Sequence, residues 1–165
     1  MPDLLTHVLV AYAIAGLVVW GTAVPDRYLP VVLVGTVAPD GMKATVLLGS
    51  ASGTMFGIPY SFWGLHTLGG VIILGGIGVL TLRTADRRAG LVALCAGGAG
   101  HLVFDLFVIR VDGVAPPYLF PLSGWLPPAG NLYASTDPWT IAAAAVVALP
   151  VYAVRARSNV GSRRS

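Results

Sequence analysis

Ala89-Gly-Leu-Val-Ala-Leu-Cys-Ala-Gly-Gly-Ala-Gly-His-Leu-Val-Phe-Asp-Leu-Phe-Val-Ile109 is the stretch on which the reading of this chain turns. Its length suits a transmembrane helix, which takes about 20 apolar residues. Yet the run carries His101 and Asp105, and an ionisable group inside an apolar span is costly and by default a functional candidate. The i, i+4 spacing puts both side chains on one face of a helix, about one turn apart. Cys95, the single cysteine, excludes an intramolecular disulfide and reads as a small packing residue.

Outward from this run the apolar pattern repeats. On the N-terminal side, the polar loop Arg83–Arg88 separates it from a third span over Phe62 to about Leu82. Gly49 to Tyr60 is a Gly/Ser-rich connection with an amphipathic tendency. A second segment, Tyr28 to about Leu48, is interrupted by Pro39-Asp40-Gly41. Proline removes a backbone donor there, so the segment is expected to be short or broken, as helices at membrane depth are where they line a wet cavity or are buried in protein. The first span covers Leu4 to Val24 and is closed by Pro25-Asp26-Arg27. It lacks a basic segment before the apolar run and is long enough to span, so it reads as a retained helix rather than a cleaved signal. On the C-terminal side, residues 110–137 hold five prolines among Tyr118, Phe120, Trp125 and Tyr133. They are expected to form an ordered interfacial loop, since aromatic side chains favour the headgroup level. Asp137-Pro138 supplies an N-cap and a first-turn proline for a last span ending near Arg155.

The composition agrees. Of 165 residues, 56% are hydrophobic and 10% charged, with mean hydropathy +0.80, whereas a soluble domain is about 25% charged. The acids are seven Asp and no Glu; the bases are nine Arg and one Lys, for a net charge of +3. That excess does not read as nucleic-acid binding. It gathers in two clusters beside apolar runs, Arg83/Arg87/Arg88 and Arg155/Arg157/Arg163/Arg164, as cytoplasmic anchors do. The fold class expected is therefore all-α, a polytopic transmembrane bundle of four to five spans in the cell membrane. Residues 1–155 make one helical domain, and 156–165 a polar, basic, disordered tail.

With the arginine clusters cytoplasmic, the C-terminus is inside and the 110–137 loop outside. If the second segment crosses, there are five spans and the N-terminus is outside; if it is re-entrant, there are four and the N-terminus is inside. Glycines within the third and fourth spans, Gly69-Gly70, Gly75-Gly76, Gly78, Gly97-Gly98 and Gly100, imply close packing of those two helices.

All three histidines, His7, His66 and His101, lie in or at the ends of spans, and so do Asp40 and Asp105. Each alone has a bland reading: an interfacial histidine, an interhelical hydrogen bond, a cap after Pro39, a carboxylate orienting a histidine. In the five-span arrangement, however, all five fall toward the outer face. His101 and Asp105 stand about 18 and 24 Å from the inner end of their helix at 1.5 Å per residue. Imidazole and carboxylate together suit a divalent ion, zinc first and iron or manganese after it. Three or four such ligands with a position left for water make a hydrolytic centre.

In these residues the chain resembles the LexA-regulated, membrane-bound, metal-dependent hydrolases (YdjM-like). The likeness rests on Thr6-His7, on Pro39-Asp40 after the first span, on His66-Thr67 opening the next, on His101 and Asp105 as His-x-x-x-Asp, and on Gly113 with Phe120-Pro121-Leu122-Ser123. It covers roughly residues 1–125. Two positions depart from the family: Met42 stands where a second acid follows Pro-Asp, and Ser61–Leu65 lacks a His-Arg-Gly. The resemblance implies hydrolase activity.

The residues thus point to a membrane-embedded hydrolase with His7, His66, His101 and Asp105 as metal ligands. Asp40 is a further ligand or the catalytic general base. A site near one membrane face under an aromatic loop suggests a lipid or other amphiphile as substrate. The competing reading is a non-catalytic membrane protein, a small transporter or scaffold, in which the same groups form an ion pathway or interhelical hydrogen bonds.

Overall fold

The computed structural model describes residues 2–44 and 52–162. Among these the chain forms five α-helices: α1 (Pro2–Gly21), α2 (Leu29–Val37), α3 (Leu68–Gly78), α4 (Arg87–Asp105) and α5 (Trp139–Ser162). Between α2 and α3 stands one antiparallel hairpin, β1 (Ser52–Met55) and β2 (Ile58–Ser61). Two helices contain stretches long and apolar enough to cross a membrane, Leu4–Gly21 and Trp139–Ser158; Leu68–Thr81 is apolar but shorter.

The other expected spans are cut short, each for a local reason. After α2 the chain tightens into a 3-10 helix, Ala38–Ala44, at the fully buried Pro39. This is the break expected from proline. Residues 45–48 of that segment lie outside the described residues, as do 49–51 of the connection that follows. The rest of that connection is a strand pair, not an amphipathic stretch. Phe56 and Gly57 both have positive φ, 53° and 78°, the two-residue type I′ turn that suits a tight hairpin.

The third span does not start as a helix at Phe62. Phe62–His66 is a 3-10 turn whose first turn is capped by Ser61. Thr67 is extended, and its hydroxyl accepts from Gly70 N–H and donates to the Gly64 carbonyl. The α-helix therefore begins only at Leu68. Its next free amides are taken by the 110–137 segment, Leu68 N–H to Tyr118 O at 2.7 Å and Gly69 N–H to Phe120 O at 2.9 Å. The orphan donors of a helix start are thus satisfied by a loop about fifty residues further along the chain, and the loop is pinned in return.

α4 likewise ends at Asp105, not Ile109. Its last turn tightens to i+3 bonds, and Gly130 N–H and Leu132 N–H then take the Leu106 and Phe107 carbonyls. The 110–137 segment is ordered, as expected, but Tyr118 and Tyr133 are buried within it while Phe120 and Trp125 face outward. Asp137 does not cap α5 through its side chain: its Oδ2 accepts from Ala134 N–H and from the Trp139 indole. α5 also runs past Arg155 to Ser162, so the expected disordered tail is helical through that residue. Nothing from 156 to 160 breaks a helix, and the first glycine is Gly161.

α1 packs on α5 through Ala13, Ala148 and Val151. A Thr6–Thr140 hydroxyl pair at 3.1 Å joins their upper ends. At the lower end Arg155 reaches the Gly16 carbonyl and Asp26, and Tyr28 and Arg27 hold Asp86. α3 packs on α4 through Gly75, Gly78 and Gly98, as expected. The closest backbone approach, however, is between α2 and α4. A Cβ at Gly35 would lie 2.1 Å from the Leu94 carbonyl oxygen, and one at Gly97 would lie 2.0 Å from that of Val32. Only glycine permits this contact, and it sets the distance between α2, which leads into the turn with Asp40, and α4, which carries His101.

Candidate metal centre

α1, α2, α3 and α4 all bring a polar side chain to one point at the upper end of the bundle. His7 comes from the second turn of α1. Asp40 sits in the 3-10 turn that follows α2. His66 is the last residue before the extended Thr67, and His101 and Asp105 lie on the last two turns of α4. All five are buried: His101 is 1% exposed, His7 2%, Asp40 and Asp105 6%, and His66 9%. The five residues singled out in the sequence are therefore brought together, from four separate segments.

Asp105 is the hub. Its Oδ2 lies 2.6 Å from His66 Nε2 and its Oδ1 lies 3.1 Å from His7 Nε2. The i, i+4 pair itself is looser than its spacing suggests, with His101 Nε2 3.6 Å from Asp105 Oδ2. The same nitrogen lies 3.6 Å from Asp40 Oδ1. The His7 and His101 rings stack with centroids 4.3 Å apart, and His66 meets His101 edge-on at 5.1 Å.

Two features fit these residues to a divalent ion. The first is spacing. His7, His101 and Asp105 offer ligand atoms within 4.8 Å of one another, and so do Asp40, His66 and His101. Tetrahedral bonds of about 2.0–2.1 Å put two ligands of one zinc roughly 3.3 Å apart, close to the 3.1 and 3.6 Å separations here. The second is unmet demand. Asp40 Oδ1 and both ring nitrogens of His101 are buried with no hydrogen-bond partner. Such groups are rarely left so in a folded protein, and buried carboxylates require a compensating cation.

Three neighbours were not singled out in the sequence. Lys43, the chain's one lysine, places its Nζ 2.5 Å from Asp40 Oδ2; the i, i+3 spacing after Asp40 was the available signal. Tyr118 packs its ring 5.7 Å from that of His66. Arg110 donates from Nη2 to the Tyr118 hydroxyl at 3.4 Å; it stands apart in the sequence from both arginine clusters. A cavity of about 800 Å³ opens beside Asp40, His66 and Asp105, with Lys43 and Arg110 in its partly polar wall. The Met42 side chain lies outside what is described.

Comparison of the chain with protein-family models, with curated proteins and with solved structures gave no match.

Proposed function

We propose that this chain is a membrane-embedded, metal-dependent hydrolase whose divalent ion, zinc in the first instance, is held by His7, His66, His101 and Asp105. The observation that carries the reading is the convergence of three histidines and two aspartates, buried and with orphaned ligand atoms, from four segments of an otherwise apolar bundle. The resemblance of Thr6-His7, Pro39-Asp40, His66-Thr67 and His101/Asp105 to the YdjM-like hydrolases points to the same chemistry. When bound, such an ion supplies a water of lowered pKa and polarises the scissile group.

The chain's own residues divide the remaining work. Asp105, between His7 and His66, fixes the orientation of two imidazoles, as a carboxylate partner does for ligating histidines. Asp40 is anchored at Oδ2 by Lys43 and presents Oδ1 toward His101. That leaves one oxygen to take a proton from water as general base, or to serve as a further ligand. His101, almost without exposure, keeps bulk water from the cluster on the bundle side.

Membrane insertion is supported by the two long apolar helices and by large apolar side chains on the outer faces, such as Ile77, Leu80, Val146 and Leu149 at 60–72% exposure. Water does not favour so wide an apolar belt. Arg27, Arg83, Arg87, Arg88 and Arg155 belong to the lower end of the bundle, which the positive-inside rule makes cytoplasmic. The C-terminus is then inside, with the N-terminus, the 110–137 segment and the metal centre toward the outside. This is the five-pass arrangement, in which α2 and its broken continuation serve as one pass.

An ion pathway would need polar groups continuing to the lower face. Below the cluster, between α1, α2 and α4, the lining is instead Ile14, Val18, Val32, Val92 and Ala96, which favours a closed catalytic centre. Metal content of the purified protein by elemental mass spectrometry tests the reading. Wild type is expected to carry a stoichiometric divalent ion, absent from His101→Ala and Asp105→Ala. Wild-type protein that holds no ion after chelator-free purification and reconstitution would refute it.

A further inference from the structure

The His/Asp cluster stands between two cavities that differ in the charged side chains they hold. On one side is the cavity of about 800 Å³ with Asp40, Lys43, Asp105 and Arg110 in its wall. On the other a groove of about 710 Å³ descends between α1, α2 and α4. His7, Thr36, His101 and Phe104 line its upper end, and Pro25, Tyr28 and Ala89 its lower end. From Ala89 to Phe104 the groove follows α4 for about 22 Å at 1.5 Å per residue. One leaflet of a bilayer has about half of a 30 Å hydrocarbon core, so the groove is long enough for a whole lipid chain. Apolar throughout and ending on two imidazoles, it suits an alkyl chain whose polar end stops at the cluster.

The opposite cavity indicates what that end carries. Among the described Lys and Arg residues, only Lys43 and Arg110 lie at the upper end of the bundle, and both line this cavity. Lys43 is engaged by Asp40. Arg110 makes no ion pair among the described residues, and its Nε is buried without a hydrogen-bond partner. An arginine on the side opposite the cytoplasmic clusters runs against the usual bias. A guanidinium with donors to spare, facing a cavity, binds phosphate or carboxylate oxygens in pairs. Of those two anions, only a phosphate ester has a bond for a hydrolase to break.

We propose that groove and cavity together bind one amphiphile, a phosphate ester of a long apolar chain, with the chain between α1, α2 and α4 and the phosphate between the cluster, Lys43 and Arg110. The choice of phosphate over carboxylate and the fate of the ester rest on the hydrolase reading; the binding of an anionic amphiphile does not. Hydrolysis turns the ester and one water into a long-chain alcohol and inorganic phosphate. The bond from phosphorus to the chain oxygen breaks, the water oxygen forms the new bond to phosphorus, and a water proton ends on the chain oxygen. The alcohol remains in the apolar groove, and the phosphate leaves through the opposite cavity.

Gly100 lines the groove, and a Cβ there meets nothing within 4 Å. Gly100→Leu therefore puts a branched side chain into the path of the alkyl chain with no clash at its Cβ, and Arg110→Gln removes the spare cation. The probe is hexadecyl phosphate, titrated onto the intact protein in a nonionic detergent and read by native mass spectrometry. Hexadecanol and inorganic phosphate serve as its two halves. Hexadecyl phosphate is expected to bind at least about tenfold tighter than either half. Each variant should lose about tenfold of that affinity while keeping wild-type metal content, with Arg110→Lys recovering part of the loss.

Equal binding of hexadecanol and hexadecyl phosphate would overturn the proposal, leaving the groove a lipid-facing surface. So would wild-type affinity in both variants. If Gly100→Leu weakens only hexadecanol and Arg110→Gln only inorganic phosphate, the cavities are two sites and the single-amphiphile proposal fails. Metal-free wild type that still binds hexadecyl phosphate removes the hydrolase reading alone; metal-loaded protein that ignores hexadecyl phosphate removes this one alone.

Discussion

Replacing Gly97 by alanine adds one methyl group, yet it should loosen the proposed metal centre a turn away. The added Cβ would stand 2.0 Å from the Val32 carbonyl oxygen and 2.7 Å from Thr36 N, whereas real Cβ atoms essentially never come under 3.0 Å. Both neighbours are backbone, so no side chain can swing aside, and α2 must retreat from α4 by about 1 Å, an overpacking of the kind that costs about 1–3 kcal/mol. α2 leads directly into the turn that carries Asp40, whose Oδ1 lies 3.6 Å from His101 Nε2. Metal ligation tolerates about 0.2 Å, so the shift removes Asp40 from the centre. Displacing a supporting partner lowers metal affinity by roughly 10–100-fold. Gly100→Ala, one turn along the same helix with nothing within 4 Å, is the matched control. Both variants share the helix-propensity gain of about 1 kcal/mol for Gly→Ala, so their difference isolates the clash. Thermal unfolding in detergent micelles and metal titration should rank Gly97→Ala below Gly100→Ala in both melting temperature and affinity. Equal values for the two would refute the argument that backbone contact between α2 and α4 positions the site.

Chelation should lower the melting temperature of wild type, because an ion at about 1,000 times its Kd stabilises the folded state by about 4 kcal/mol. His101→Ala should melt at one temperature with or without chelator, and an equal chelator response in both proteins would show that the stabilising ion binds elsewhere. For topology, in a Cys95→Ser background, Val111→Cys should react with a membrane-impermeant maleimide added outside intact cells and Ser158→Cys should not. The reverse pattern would place the metal centre on the cytoplasmic face.

What the sequence made legible follows from what each signal depends on. The five polar residues of the cluster could be singled out because each is an ionisable group in an apolar run, a conflict visible without any neighbour. The break at Pro39 was legible because proline acts on its own backbone. The positions where α3 begins and α4 ends were not. They depend on bonds from Tyr118 and Phe120 to the α3 amides, and from Gly130 and Leu132 to the last carbonyls of α4, partners far away in the chain. Gly35 is a lone glycine in an apolar segment, and only the position of α4 gives it a role. The hairpin was missed because Phe56 takes a left-handed conformation that its residue type does not advertise. Lys43 and Arg110 look like ordinary surface charges until the fold places both beside the cluster.

The short helices and the site have one cause. α2 stops at Val37, α3 starts at Leu68 and α4 stops at Asp105, and each of these ends borders the cluster. A helix that crosses a bilayer without interruption satisfies its own backbone but offers no free polar groups inside. One that ends partway leaves amides and carbonyls that must be met by protein or water. Here the 3-10 turn at Asp40, the extended Thr67 and the 110–137 segment meet them, and the cavity beside Lys43 and Arg110 lies against the same ends. Filling that cavity with continuous helix would lengthen α2, α3 and α4 and remove Asp40, His66 and Asp105 from reach of one another. Thus only α1 and α5, which flank the site without ending in it, keep full-length apolar runs. The three helices that fall short are those whose ends build the centre.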